Sequence, residues 1–397
     1  MPKISFRWLS LFFIFYILLS VSLFLYSFTQ VDLGLTLTKI STWRLLETSF
    51  QHIGYFQRPF SSQIFLFIVF FMSISYLILL YFSYKKKIGR KQIWALLLAS
   101  TIILTFSYNA FSHDLFNYIF DAKVLTHYHQ NPYFHKALDY PSDPMLSFMH
   151  WTHRNYPYGP LWLLITAPLT LIGGNIFLLT FFLFKILISS FFSGSVFMIE
   201  KIARTVKHEN SIFALIFFAF NPLVIIESLV SSHNDIVMIF FILLGIYFLI
   251  KKRVILAFIF IGASGLVKFL GFALIPAFIV YVFNSYKNLN FSFNKLILSC
   301  LFLTSAFLVY VLSKMELQPW YLLWLLPFIA LLRPNRYLLF PAIIISCIFV
   351  STYSIFLFDG NWDRVAPAFK INLVIGSVVV SVVLVFVTDQ IRRLTRN

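Results

Sequence analysis

Long apolar stretches alternate with short basic clusters along the whole chain, and the stretches are helix-length rather than strand-length. A membrane-spanning helix needs about 20 mostly apolar residues. Runs near that length fall at 8–28, 64–84, 93–111, 176–198, 211–226, 236–250, 296–313, 320–332, 337–357 and 371–388. The run 254–283 reads as two short helices hinged near Lys268 and Gly271. Residues 159–171 carry Pro160 and Pro168 and stop at Gly173 and Gly174, which suits an interfacial or re-entrant helix. The first run is too long for a signal-peptide core and lacks a small-residue cleavage pattern, so it reads as retained. The pattern predicts an all-α polytopic membrane protein with about 12 transmembrane helices.

Composition narrows the alternatives. With 60% hydrophobic residues, 20% aromatic and 11% charged, a soluble domain and a disordered chain are both excluded. A net charge of +17 would suggest nucleic-acid binding in a soluble protein. Here the basic residues sit between apolar runs, so they report topology instead, and no nucleic-acid partner is expected. Cys300 and Cys347 both lie inside apolar runs, leaving neither a disulfide framework nor a cysteine zinc site.

Placing the cluster Lys85, Lys86, Lys87, Arg90 and Lys91 in the cytoplasm puts 20 of the 31 Lys and Arg there, with both termini. Eleven of the 14 carboxylates then fall outside: Asp32, Glu47, Asp114, Asp121, Asp139, Asp143, Glu227, Asp235, Glu316, Asp359 and Asp363. Glu200, Glu209 and Asp389 fall inside. Acids contribute little to orientation, so their segregation points to chemistry on the outer face.

The segment 112–121, Ser-His-Asp-Leu-Phe-Asn-Tyr-Ile-Phe-Asp, has no Gly or Pro and reads as helix at the mouth of the third span. Asp114 and Asp121 then share a face about 10 Å apart along the axis, with Asn117 and Tyr118 between them. A carboxylate bordering both lipid and water is expected to have a raised pKa suited to general-base work, against the plainer role of capping the helix. The loop that follows crowds His127, His129, Asn131, Tyr133, His135, Asp139, Asp143, His150, Trp151, His153, Arg154, Tyr156 and Tyr158 together. No His pair has helical metal-ligand spacing, so a bound divalent metal, though open to test, draws no support from spacing and no cofactor is expected. Aromatic rings beside carboxylates and amides suit a carbohydrate site, while Tyr and Trp also anchor helices at membrane interfaces. Later outer segments contain His233-Asn234-Asp235 and Pro319-Trp320-Tyr321. Lys268, inside an apolar run, needs a cavity, an anion or a path to the interface, and Lys185 lies deep in its own run.

Four motifs in order resemble the GT-C class of polytopic glycosyltransferases, in particular the polyprenyl-phosphate-mannose-dependent enzymes of phosphatidylinositol-mannoside and GPI type. The motifs are Asp114, Phe116, Tyr118 and Asp121 followed by Asn131-Pro132-Tyr133; Tyr156-Pro157-Tyr158-Gly159-Pro160; His233-Asn234-Asp235 with the later Lys268; and Pro319-Trp320-Tyr321. The resemblance covers about residues 105–330. Two leading spans are an extension, and Tyr158-Gly159 stands where the family has a second Pro.

The resemblance implies an inverting transfer of a hexose, mannose above all, from a polyprenyl-phosphate donor to a lipid or cell-surface glycan acceptor. It implies Asp114 as base, Arg154, Lys268 and His153 at the donor phosphate, and a looser substrate-binding group. That group comprises His113, Tyr118, Asp121, Asn131, Tyr133, Tyr156, Tyr158, His233, Asn234, Asp235, Trp320 and Tyr321. The expected organisation is an N-terminal membrane extension (1–91), a catalytic membrane core with its outer loop 112–158 (92–332), and C-terminal helices (333–397). The expected setting is the plasma membrane, with an extracytoplasmic site and membrane lipids around the bundle. A secondary transporter is the main rival, since it too has many spans, but it would concentrate ionisable groups at the midplane and often shows repeats. A lipid-linked glycan flippase or polymerase would also handle such substrates and would leave Asp114 less critical.

Overall fold

The computed structural model describes every residue except 1–5, 175, 208–209, 288, 290–291, 362–366 and 395–397. Lys3, Glu209, Asp363 and both chain ends therefore lie outside the described residues. Among the described residues there are helices and turns and no strand. The helices are α1 (Phe6–Ser27), α2 (Ser41–Gln51), α3 (Arg58–Tyr84), α4 (Arg90–Thr105), α5 (Asp114–Thr126), α6 (Pro160–Gly173) and α7 (Phe177–Thr205). Next come α8 (Ser211–Ala219), α9 (Pro222–Ile225), α10 (Asp235–Ile250), α11 (Val254–Val267), α12 (Leu270–Ala273) and α13 (Ile275–Tyr286). The series closes with α14 (Phe293–Leu312), α15 (Leu326–Leu331), α16 (Arg336–Ser351), α17 (Tyr353–Asp359) and α18 (Pro367–Leu394).

Six helical stretches among the described residues are long and apolar enough to cross a bilayer, beginning at Trp8, Arg58, Phe177, Phe293, Arg336 and Phe369. A seventh results if α8 and the segment Pro222–Val230, bent by 58°, count as one span. Five more apolar helices among the described residues are shorter; the all-helical bundle is that of a polytopic membrane protein, with six or seven full-length spans among the described residues where the sequence pattern predicts about 12. The reasons are local. Pro222 starts a new helix immediately after Asn221, whose side chain caps it. The expected third span ends at Thr105, and residues 106–113 follow as irregular backbone. The 320–332 run begins as a 3₁₀ turn, Pro319–Trp324, before the six-residue α15. Non-helical backbone is tolerated at such depth because it is enclosed by protein, not lipid. The short helix α6 and the break at Lys268 between α11 and α12 appear as the pattern predicts.

Helix α7, half of it buried, links the two ends of the bundle. Near its start, Phe177 and Phe181 pack on Phe116 of α5. Near its end, Glu200 pairs with Arg90 and accepts the Trp94 indole N–H at 2.8 Å. Those ends lie roughly 35 Å apart at 1.5 Å per residue, about one bilayer thickness. In mid-bundle the Lys185 amine is enclosed, donating to Ser107 Oγ at 3.2 Å and to the carbonyls of Leu229 and Val230, which no longer have helical partners. Lys185 thus packs inward and ties α7 to the break that carries the site.

Candidate active site

Two segments that interrupt helices meet at the α5 end of the bundle. The first is the start of α5. Asp114 opens the helix, where a carboxylate complements the helix dipole, and its N–H donates to Ser112 Oγ at 3.1 Å. The second is the bend after α9, where residues 226–230 form one π-helical turn and Ser232 adopts φ +54°, a left-handed conformation rare for a residue with a side chain. This path brings Glu227 beneath His233, whose N–H donates to the Glu227 carbonyl at 3.0 Å.

The two segments join through charge. Asp114 Oδ2 lies 3.5 Å from His233 Nδ1, and His233 Nε2 lies 3.2 Å from Glu227 Oε2. Tyr353 donates to Glu227 Oε1 at 2.9 Å. Trp320 stacks on the His233 ring at 4.4 Å. On the solvent side, Arg154 Nη2 is 3.7 Å from Asp114 Oδ1. The Asp114 side chain keeps 13% of its surface exposed, so it can be reached. Tyr118 lies 3.4 Å from Asp114 and 3.3 Å from Asn234 Oδ1, and its one proton serves one acceptor at a time.

Beside this chain, Asp235 is fully buried and accepts from Lys268 Nζ and from Trp324 Nε1, both at 2.6 Å. Lys268 also sits 5.5 Å from the Tyr158 ring centroid. The loop is pressed onto this region by Gly159, whose N–H donates to the Val267 carbonyl at 3.1 Å. A Cβ at Gly159 would stand 2.1 Å from the Leu266 carbonyl oxygen, so only glycine permits the approach.

The pKa directions correct one expectation. Burial alone would raise the Asp114 pKa, but His233, Arg154 and Lys268 outweigh it and hold the carboxyl at about 2. Burial opposes charge on His233, yet contacts to Asp114 and Glu227 push its pKa up to about 9. Asp121, one face along α5, goes the other way. Burial, with a further contribution from the Asp114 charge, lifts it to about 8 despite Arg154. At neutral pH the constellation therefore holds Asp114 ionised, His233 as imidazolium and Asp121 protonated.

The remaining sequence candidates divide into groups. Tyr133 donates to the Tyr158 carbonyl at 3.0 Å, Asn131 caps Tyr133 N–H at 3.0 Å, and Tyr156 donates to the Gly159 carbonyl at 2.9 Å; they brace the loop. Tyr321 donates toward Met315 sulfur at 3.5 Å and packs edge-on to Trp324. His153 is exposed, edge-on to Trp151, whose ring also carries Arg154. His113 pairs with Asp32 at 3.2 Å. Glu227, Tyr353 and Trp324 were not singled out as site residues by sequence reasoning. The spacing of Glu227 before His233 carries a signal only once the π-helical turn is known.

With this geometry in place, comparison with known proteins is decisive on one point. Residues 23–284 match the family described as Alpha-(1->6)-mannopyranosyltransferase, N-terminal domain. The chain belongs to this family. The matched region includes the end of α1, all of the α5 loop, the His233 bend and the Lys268 break. A curated relative, Alpha-(1->6)-mannopyranosyltransferase A of Corynebacterium glutamicum, is 28% identical over 158 residues. That alignment covers 40% of this chain and only 32% of the relative, so the chain spans about a third of its length. No solved structure matches. Family membership and the helical bundle together identify a membrane protein of a mannosyltransferase family.

Proposed function

We propose that this protein transfers mannose from a polyprenyl-phosphate donor to a lipid-linked or cell-surface glycan acceptor, at the extracytoplasmic face of the plasma membrane, with inversion. The observation that carries this reading is Asp114, an ionised and reachable carboxylate between the cations Arg154 and His233. A carboxylate of low pKa is a weak base toward a resting alcohol. It suffices for a proton that leaves late: once the acceptor oxygen has begun to bond to the anomeric carbon, that oxygen becomes strongly acidic. The C1–O bond to the phosphate breaks, the C1–O bond to the acceptor forms, and Asp114 takes the hydroxyl proton. Charge moves onto the departing phosphate. Arg154, only one-third exposed, and Lys268 supply positive charge for it. Lys268 already answers Asp235, so Arg154 is the cation with more charge to offer a newcomer.

The basic clusters support the proposed sidedness. Lys85 to Lys91, Lys201, Arg204 and Lys251 to Arg253 belong to the end of the bundle away from Asp114: Arg90 meets Glu200, and Lys201 lies 4.7 Å from the Tyr247 ring. Short basic loops favour the cytoplasmic side, which supports an outer position for the Asp114 end.

The test is transfer of labelled mannose from polyprenyl-phosphate mannose in membranes containing the full chain. The reading expects lipid- or glycan-bound mannose with wild type and none with Asp114→Asn at equal expression. Full transfer by that variant sinks the base assignment, and solute uptake by proteoliposomes without any transfer sinks the enzyme reading.

A further inference from the structure

Beside the start of α5 lies a cluster that the proposed transfer does not use. Asp32, just beyond α1 and its 3₁₀ turn, meets His113 across 81 residues of sequence, with Asp32 Oδ1 3.2 Å from His113 Nε2. His150, from the far side of the α5 loop, stacks on His113 with ring centroids 3.7 Å apart. One donor atom from each of the three residues lies within 4.8 Å of the others, and among the described residues no other three such side chains gather this way.

The carboxylate is held from behind. Tyr108 donates to Asp32 Oδ2 at 2.7 Å, which leaves Oδ1 turned to the imidazoles. Gln51 anchors the backbone by donating to the carbonyls of Val31 and Asp32 at 3.2 and 3.3 Å. Hydrogen-bonded support of a ligating carboxylate is a recurrent feature of metal sites. His113 and Asp32 are half-buried, whereas His150 is exposed and on a loop, so its ring is free to swing.

We propose that Asp32, His113 and His150 bind a divalent transition-metal ion of the zinc and manganese class. Two imidazoles with one carboxylate favour such ions over magnesium or calcium, which prefer all-oxygen shells. Ligand atoms about 2.1 Å from a shared ion sit roughly 3 to 3.5 Å apart, so the trio must close by about an ångström, through His150. Three protein ligands leave positions for water or an oxyanion. Because His113 directly precedes Asp114, the ion would also help fix the first residue of α5.

The full chain, purified in detergent and stripped with chelator, is dialysed against Zn²⁺ and, separately, titrated with Co²⁺ while visible d–d absorption is followed. The expected result is about one ion per chain, with binding at least about tenfold weaker in His150→Ala and Asp32→Asn. His127→Ala, in the same loop, should bind like wild type. Because His150 is exposed, its variant decides the matter even if Asp32→Asn does not fold. Wild-type protein that retains no ion at micromolar Zn²⁺, or His150→Ala that binds as tightly as wild type, overturns the proposal.

Discussion

The two ends of the bundle give their acids different partners. Around Asp114 the carboxylates of Asp114, Glu227 and Asp235 are drawn into the protein and matched by His233, Arg154 and Lys268. At the other end, Glu200 is also buried, but its partner Arg90 is roughly half exposed, and in the Asp389–Arg336 pair both side chains reach water. An exposed pair such as Arg336–Asp389 contributes little to stability, median about 0 to 1 kcal/mol. Burying three carboxylates with three cations incurs a desolvation penalty that stability alone would not select. The difference separates charge placed for topology from charge placed for chemistry.

Substitutions sharpen that contrast, beginning with the largest effect. Asp114→Asn should lower kcat by about 10²- to 10⁴-fold, the range for loss of a general base, when compared at equal amounts of folded protein. Arg154→Ala should lower transfer by about 10²- to 10³-fold, as removal of one charge-stabilising donor does, measured with the same labelled donor. Equal activity in either variant would erase the distinction between the ends.

Glu227→Gln removes the nearer of the two carboxylates that face the buried His233, leaving Asp114, and should destabilise the fold by up to about 3 kcal/mol, read by thermal or denaturant unfolding. It also has a pH signature. The raised His233 pKa, about 9, means that its contribution to stability and to holding Asp114 is complete below the ordinary histidine value near 6.5. That contribution is lost as pH rises through 9, so transfer should decline there, and in Glu227→Gln the decline should begin at lower pH.

Asp121 gives the opposite sign. Its pKa, raised to about 8, means the folded state binds a proton that the unfolded chain has already released. This group therefore makes stability fall as pH climbs from about 4 to about 8, and Asp121→Asn should flatten that slope in melting curves. The smallest effect belongs to the basic end: Asp389→Asn, in the exposed pair with Arg336, should change stability by about 1 kcal/mol or less and leave transfer unchanged.

Much of the site was legible in the sequence because it resides in short local motifs. The helix carrying Asp114 and Tyr118, the His233-Asn234-Asp235 bend, the aromatic Trp320-Tyr321 pair and the break at Lys268 are all encoded within a few residues. What escaped depends on distant pairings. The Lys268–Asp235 pair spans 33 residues, and that between Tyr353 and Glu227 spans 126. Periodicity cannot report either. Glu227 looked like part of a polar outer turn, whereas it is fully buried, because a π-helical turn redirects it inward. The direction of the Asp114 pKa was missed for the same reason: burial was foreseeable, but the convergence of three cations was not. Counting apolar runs does not report the breaks at Asn221-Pro222 and Pro319, which interrupt helices that hydropathy alone treats as continuous.

The outward placement of the Asp114 end is the claim on which the functional reading depends most. Its direct test uses single cysteines at exposed His153 and at exposed Lys207, in a background lacking Cys300 and Cys347. Intact cells are treated with a membrane-impermeant maleimide. The account predicts that position 153 is labelled on intact cells and position 207 only after permeabilisation; the reverse pattern would contradict it.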